Sequence, residues 1–272
     1  MKYVHAGSEK IPALGFGTYR LAGQSCVNAV KDAISLGYRH IDTAEMYGNE
    51  KETGEGVRQS GIPRNDVFVT TKLWTDSLAP DEVHLTAEQS LTSMQMDYLD
   101  LLLIHWPSSR IPLDETLGAM NQLREEGKVR HLGVSNFNIG WLDKAHETGV
   151  PLITNQVEYH AMLGQEKLLG YLRSKGMFLT AYSPLAKGRL VNHPTLLEIG
   201  KKHGKTDVQI ALRWLVQQDD VALVPKASSP EKRRNNFDIF DFELDAEDLE
   251  RIDGIEKNRR IVDLPGLSPE WD

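Results

Sequence analysis

The chain has 272 residues, one cysteine and a formal net charge of −8 at pH 7. That length buries a large core without metal or disulfide support, the lone Cys26 fits a reducing cytoplasm, and the acidic balance argues against a nucleic-acid-wrapping protein. The first ten residues hold no apolar signal core, and no apolar run approaches the roughly 18 residues of a membrane span, so neither secretion nor membrane insertion is expected.

Residues before Ala13 read as a small hairpin turning near Ala6-Gly7-Ser8-Glu9. Short apolar runs then follow at 13–17, 38–41, 67–72, 99–104, 130–134, 153–157, 177–181 and 221–224, and each is expected to be a strand. The run at 99–104 is almost wholly apolar, as a strand covered on both faces should be. Between the strands lie helical patterns. Val27, Val30 and Ile34 precede a helix-ending Gly37, and Pro80 opens a helix carrying Val83, Ala87, Leu91 and Met94 on one face. Thr206-Asp207-Val208-Gln209 is a capping box ahead of Val208, Ala211, Leu212 and Leu215. Eight strands alternating with helices predict an α/β fold, a (β/α)8 TIM barrel with an N-terminal β-hairpin and an extra C-terminal helix and tail. No linker, repeat or low-complexity run interrupts it, so residues 1–272 are expected to be a single domain.

In such a barrel the site lies at the C-terminal ends of the strands. The polar residues there are Asp42, Lys72, His105, Ser135, Asn136, Gln156, Tyr182, Ser183 and Lys226, with Tyr47 on the loop after Asp42. Each has a bland explanation: Asp42 as a helix-start acceptor, Lys72 with its amine in solvent, His105 as a structural histidine, Asn136 and Gln156 as turn residues. Polar groups at so many consecutive strand ends weaken those explanations together. A phenol, with a pKa of about 10, stays protonated near neutrality and can act as an acid. A nearby ammonium eases its proton transfer, a carboxylate keeps that ammonium charged, and an imidazole N–H can orient a carbonyl oxygen. The set lacks a reductant, which a cofactor must supply.

The chain resembles the aldo-keto reductase family along nearly its whole length. The resemblance rests on Gly15-Phe16-Gly17-Thr18, on Tyr38 to Ala44 with Tyr47, Gly48, Asn49 and Glu50, and on Thr71-Lys72-Leu73-Trp74. It continues through Leu103-Ile104-His105-Trp106-Pro107, Gly133-Val134-Ser135-Asn136-Phe137, Asn155-Gln156-Val157-Glu158 and Ala181-Tyr182-Ser183-Pro184-Leu185. The compact length and the ending Gly266 to Asp272 look most like the bacterial 2,5-diketo-gluconate and methylglyoxal reductase branch. The resemblance implies an NADPH-dependent reduction of aldehydes or ketones, with NADH as a second possible donor, by a cytoplasmic enzyme that works, like many relatives, as a monomer. It implies Tyr47 as general acid, Lys72 as the neighbour lowering its pKa, Asp42 as the partner of Lys72 and His105 as the carbonyl-orienting group. For the cofactor it implies Ser135, Asn136 and Gln156 at the carboxamide and Tyr182 stacked on the nicotinamide. Gly17 and Thr18 would lie near the ribose, with Ser183 and Leu185 at the pyrophosphate.

At the adenosine end the family pattern Pro-Lys-Ser, Arg, Glu-Asn reads here Pro225-Lys226-Ala227, Lys232, Asn235-Asn236, with Ser228 between. Lys226 keeps a point charge for the 2′-phosphate. Ala227 loses a hydroxyl, and Lys232 replaces a planar Arg that it does not equal at a phosphate. Arg233 and Arg234 are read either as compensating cations or as solvated helix charges. The expectation is a preference for NADPH that is smaller than the family's strongest. Tyr19, Trp74 and Trp106, with Tyr47 and His105, are expected to line an open pocket for small dicarbonyls, keto sugars or keto acids. The Gly15-Phe16-Gly17 stretch is no Rossmann fingerprint, and no metal site is expected, with His40, His131 and His160 read as structural or surface residues. Two other readings are a Schiff-base lyase using Lys72 or Lys226, and a slow-turnover NADPH-sensing module.

Overall fold

The computed structural model describes residues 1–272. The hairpin pairs β1 (Tyr3–Ala6) with β2 (Glu9–Pro12), turning at Gly7 with φ 60°. Eight parallel strands follow in consecutive order: β3 (Phe16–Gly17), β4 (His40–Asp42), β5 (Phe68–Leu73), β6 (Leu99–Ile104), β7 (Val129–Ser135), β8 (Thr154–Glu158), β9 (Phe178–Tyr182) and β10 (Val221–Leu223). The first and last of these meet through a parallel bridge between Leu14 and Leu223. Gly15 N donates to Leu223 O (2.8 Å), Leu223 N to Ala13 O (2.7 Å) and Gly17 N to Pro225 O (3.1 Å), which closes the (β/α)8 barrel.

All eight expected strands are present; Leu99–Ile104 has its expected bounds, and the other seven differ from theirs by one to three residues at an end, most in the first. The first was expected over 13–17, yet its ladder with β4 covers only Phe16 and Gly17, because Ala13 to Gly15 bond across the seam to the last strand instead. At that seam Gly17 has no room for a side chain: a Cβ would lie 2.8 Å from Val224 O. The last strand ends at Leu223 rather than Val224.

The helices are α1 (Gly23–Leu36), α2 (Glu50–Gln59), α3 (Pro80–Met94), α4 (Leu113–Glu125), α5 (Ile139–Glu147), α6 (Glu166–Ser174), α7 (Pro194–His203), α8 (Asp207–Gln217), α9 (Pro230–Phe237) and α10 (Ala246–Asp253). Gly37 ends α1 in the left-handed conformation, φ 114°, and Thr206 with Gln209 closes a complete capping box on α8. Two helices, α7 and α8, fill the β9–β10 connection, and α10 is the extra C-terminal helix. None of the helices is long and apolar enough to cross a membrane. All six residues of β6 are buried, Asp100 included. Its carboxylate is compensated by Val69 N (2.9 Å), Arg64 (2.7 Å) and Arg130 (3.2 Å), as a buried charge requires.

Candidate active site

The strand ends bring Asp42, Lys72 and His105 together, and a one-turn helix over Glu45–Tyr47 adds Tyr47. Asp42 is the last residue of β4, Lys72 the next to last of β5, and His105 directly follows β6. The Lys72 Nζ donates to Asp42 Oδ1 (2.7 Å) and to Thr43 O (2.6 Å), and Gln156 Nε2 donates to Asp42 Oδ2 (2.8 Å). Asp42 therefore caps no helix, and the Lys72 amine, fully buried, does not reach solvent. Two of the three ammonium protons are used, leaving one for a further partner.

Around this pair the aromatic groups pack together, Tyr47 and Trp74 edge to face on His105 and Tyr19 tilted on Tyr47. The Tyr47 ring centroid lies 5.1 Å from Lys72 Nζ, 5.8 Å from the His105 ring and 5.0 Å from the Tyr19 ring. Trp74 meets His105 at 5.2 Å and 85°. Burial, with the Asp42 carboxylate next, pushes the Tyr47 phenol well above the ordinary tyrosine value. The lowering expected from Lys72 is outweighed, because the ammonium is turned to Asp42 and Thr43 and the phenol sits in a low-dielectric mouth. Burial also pushes the Lys72 ammonium below the usual lysine value, with Asp42 opposing it. His105 is held well below the usual imidazole value by burial and then by Lys72, so it is neutral near pH 7, and its buried Nδ1 has no protein partner.

His40 is likewise lowered, by burial, while its ring bonds Thr70 Oγ1 (3.1 Å) and Pro12 O (3.3 Å). Both folded values lie below the unfolded one, so the unfolded chain binds protons that the native chain refuses. Stability is therefore present above pH 6.5 and is lost as pH falls below it, by up to about 1.4 kcal/mol per pH unit for each histidine. Urea denaturation at pH 7.5 and 5.5 reads this loss, and His105→Gln should reduce it to the share that His40 contributes.

Residues expected to hold a nicotinamide form one network beside the tetrad. Ser135 Oγ donates to Gln156 O (2.7 Å), Asn136 Nδ2 to His105 O (2.9 Å) and Tyr182 Oη to Asn136 Oδ1 (2.7 Å). Asn136 (φ 62°), Ser183 (φ 49°), Ala186 (φ 51°) and Lys187 (φ 51°) are left-handed without being glycine. Such strain persists only where the surroundings over-determine it, and it gathers at ligand-holding sites. An amide, a hydroxyl and a half-buried phenol ring on one strained rim fit a carboxamide-bearing aromatic ring. Thr18 is buried with Oγ1 on Asp42 O (3.1 Å), and Leu185 is half-buried on the strained loop.

On the far side, Lys226, Ser228 and Lys232 are exposed, Asn235 is half-buried, and Ala227 and Asn236 are buried. Arg233 is neither a compensating cation nor a solvated charge. It is buried, with Nε on Asp32 Oδ2 (2.6 Å) and Nη1 on Ala227 O (3.2 Å) and Ser228 O (3.0 Å), so it pins this loop to α1. Arg234 is exposed.

The pocket aromatics differ in depth: Tyr19 is exposed, Trp74 half-buried and Trp106 buried. Trp106 is covered by the C-terminal tail, whose Trp271 ring meets it at 6.4 Å. Sequence reasoning could not place that tail. Its anchor is the fully buried Glu158 carboxylate, which accepts from Ile261 N (2.9 Å), Val262 N (2.7 Å) and His160 Nε2 (2.8 Å). Glu45 and Asn49 were also missed as supports. Asn49 Nδ2 donates to Thr18 O and Leu21 O (both 2.9 Å), and the Asn-Glu pair after Tyr47 was the only local signal.

A family model described as the Aldo/keto reductase family matches residues 13–257. The methylglyoxal reductase DkgB of Escherichia coli O157:H7 is 35% identical over 266 residues, covering 96% of this chain and 99% of the relative. The glyoxal reductase of Bacillus subtilis (strain 168) is 38% identical over 264 residues, covering 96% and 95%. A solved structure given as a candidate 2,5-diketo-D-gluconic acid reductase B superposes with a TM-score of 0.97 at 46% identity, covering 100% of this chain and 98% of the other.

Proposed function

This chain belongs to the aldo/keto reductase family, and on that premise we propose that it reduces small dicarbonyls to hydroxycarbonyls with NADPH, using Tyr47 as the proton donor. Membership makes it an NAD(P)H-dependent oxidoreductase acting on a small carbonyl substrate. The observation that carries the finer reading is the continuous chain from Lys72 through Asp42 to Gln156, which ties the proton-handling groups to the nicotinamide seat.

The bound cofactor supplies the hydride for the carbonyl carbon. Tyr47 gives its proton to the carbonyl oxygen, and its high pKa keeps that proton in place until charge develops on the oxygen. The remaining ammonium proton of Lys72 is available to steady the phenolate left behind. Neutral His105 offers a ring N–H to hold the oxygen in line. Ser135, Asn136 and Gln156 would orient the carboxamide, Tyr182 would stack on the nicotinamide, Gly17 and Thr18 would lie near the ribose, and Ser183 and Leu185 would face the pyrophosphate. Tyr19, Trp74 and Trp106 keep water from the reacting carbon.

Lys226 and Lys232 are the cations for a 2′-phosphate, aided by Ser228, Asn235 and Asn236, and Ala227 withholds a hydroxyl. This supports NADPH over NADH with modest discrimination. The test follows nicotinamide absorbance with methylglyoxal and 2,5-diketo-D-gluconate, using each cofactor. Carbonyl-dependent oxidation faster with NADPH is expected, and its absence across a carbonyl panel overturns the reductase reading. Lys226→Ala should lower kcat/KM about 10- to 100-fold with NADPH and less with NADH. An unchanged preference would remove Lys226 from the phosphate site.

A further inference from the structure

The Tyr47 hydroxyl makes no hydrogen bond to the protein, and its ring is held by contacts with Tyr19 and His105. The direction of the phenol is therefore set by the backbone that carries it. That backbone is one short turn, Glu45–Tyr47, opened by Ala44 without a side-chain cap and closed by left-handed Gly48 at φ 63°. A single 3₁₀ turn has too few internal bonds to hold itself in place.

A second one-turn helix, Thr75–Ser77, stands beside it after β5, with Trp74 at its start. The Glu45 carboxylate joins the two, for Oε2 accepts from Trp74 N (2.8 Å) and Oε1 from Ser77 Oγ (2.9 Å). Trp74 in turn packs edge-on against His105. One side chain two residues from the phenol thus ties its turn to the loop that walls the imidazole. We propose that Glu45 is the positioning residue that aims the Tyr47 phenol at the carbonyl, acting by geometry and not by its charge. Its carboxylate is among the causes raising the Glu50 pKa but not among those acting on Tyr47, which agrees with that division.

The inference rests on Tyr47 being the proton donor, and its test keeps the two separable. Glu45→Ala removes both bonds and should lower kcat about 10- to 100-fold, the scale expected when a reacting group is misplaced by about 1 Å, with carbonyl KM nearly unchanged. The primary isotope effect, measured with cofactor deuterated at the transferred position, should rise as the chemical step becomes limiting. Glu45→Gln keeps an acceptor for Trp74 N and a donor for Ser77 Oγ, so it should recover kcat to within about threefold. If Gln is as impaired as Ala, or Ala is as fast as wild type, the positioning role is wrong.

Should Glu45→Ala not fold by thermal melting, Ser77→Ala removes one of the two bonds and should give a smaller loss of kcat with a smaller rise in isotope effect. An unaltered isotope effect there overturns the proposal. A readout independent of turnover is the ¹⁵N–H indole resonance of Trp74. It should move or broaden in Glu45→Ala and hold its place in Glu45→Gln, and an unmoved resonance in Glu45→Ala refutes the brace. A wild-type enzyme without carbonyl reduction refutes the functional reading instead.

Discussion

Replacing Tyr47 by phenylalanine lowers kcat by about 10²- to 10⁴-fold and leaves cofactor binding near its wild-type level. The ring keeps its neighbours Tyr19 and His105, so packing changes little. The lost hydroxyl has no protein partner, and its removal strands no buried donor or acceptor. Stability should accordingly move by well under 1 kcal/mol. Only the transferable proton is gone. Steady-state rates with methylglyoxal, together with a fluorescence titration of the cofactor, measure the two halves of this result. Near wild-type turnover would assign the proton to another group, and His105, whose ring lies 5.8 Å from that of Tyr47, is the first candidate. That outcome would also demand a protonated imidazole, which burial and Lys72 oppose.

The second large effect is on the buried ion pair. Lys72→Met should destabilise the fold by about 3 to 5 kcal/mol and abolish most turnover, because Asp42 is left charged, enclosed and deprived of its cation. Only the Gln156 amide would remain to compensate one carboxylate oxygen. The cost belongs to the stranded charge more than to the lost contact, so adding Asp42→Asn to Lys72→Met should restore more than half of the stability while activity stays low. Denaturant midpoints and slopes for the single and double variants decide this. Additive losses in the double variant would place the cost in packing instead.

The strands were readable because a barrel strand is covered on both faces and its residues are apolar almost without interruption, as in Leu99–Ile104. The α8 capping box was readable because its two partners are three residues apart. The tetrad was visible as residue types at strand ends together with a family likeness; its internal geometry was not. Which way Lys72 turns depends on Thr43 O as much as on Asp42, and a backbone carbonyl leaves no mark in a sequence. Arg233 looked like a surface cation because its partner Asp32 lies about 200 residues away on α1. Glu158 similarly binds backbone amides about 100 residues downstream, whose side chains say nothing of the contact. The support given by Glu45 joins two single-turn helices too short to produce a periodic pattern.

The seam between Leu14 and Leu223 bears on how the chain reaches this state. Its two sides are separated by about 200 residues, so the loop that must close is about three quarters of the chain. During synthesis the strands from β3 onward can pair in order, each with the one just made, while the sheet remains open at both margins. Unpaired margins invite association with other chains. The slowest and most exposed stage of maturation should therefore be the wait for the final strand, and a ribosome halted before it would hold an almost complete sheet with nothing to shut it.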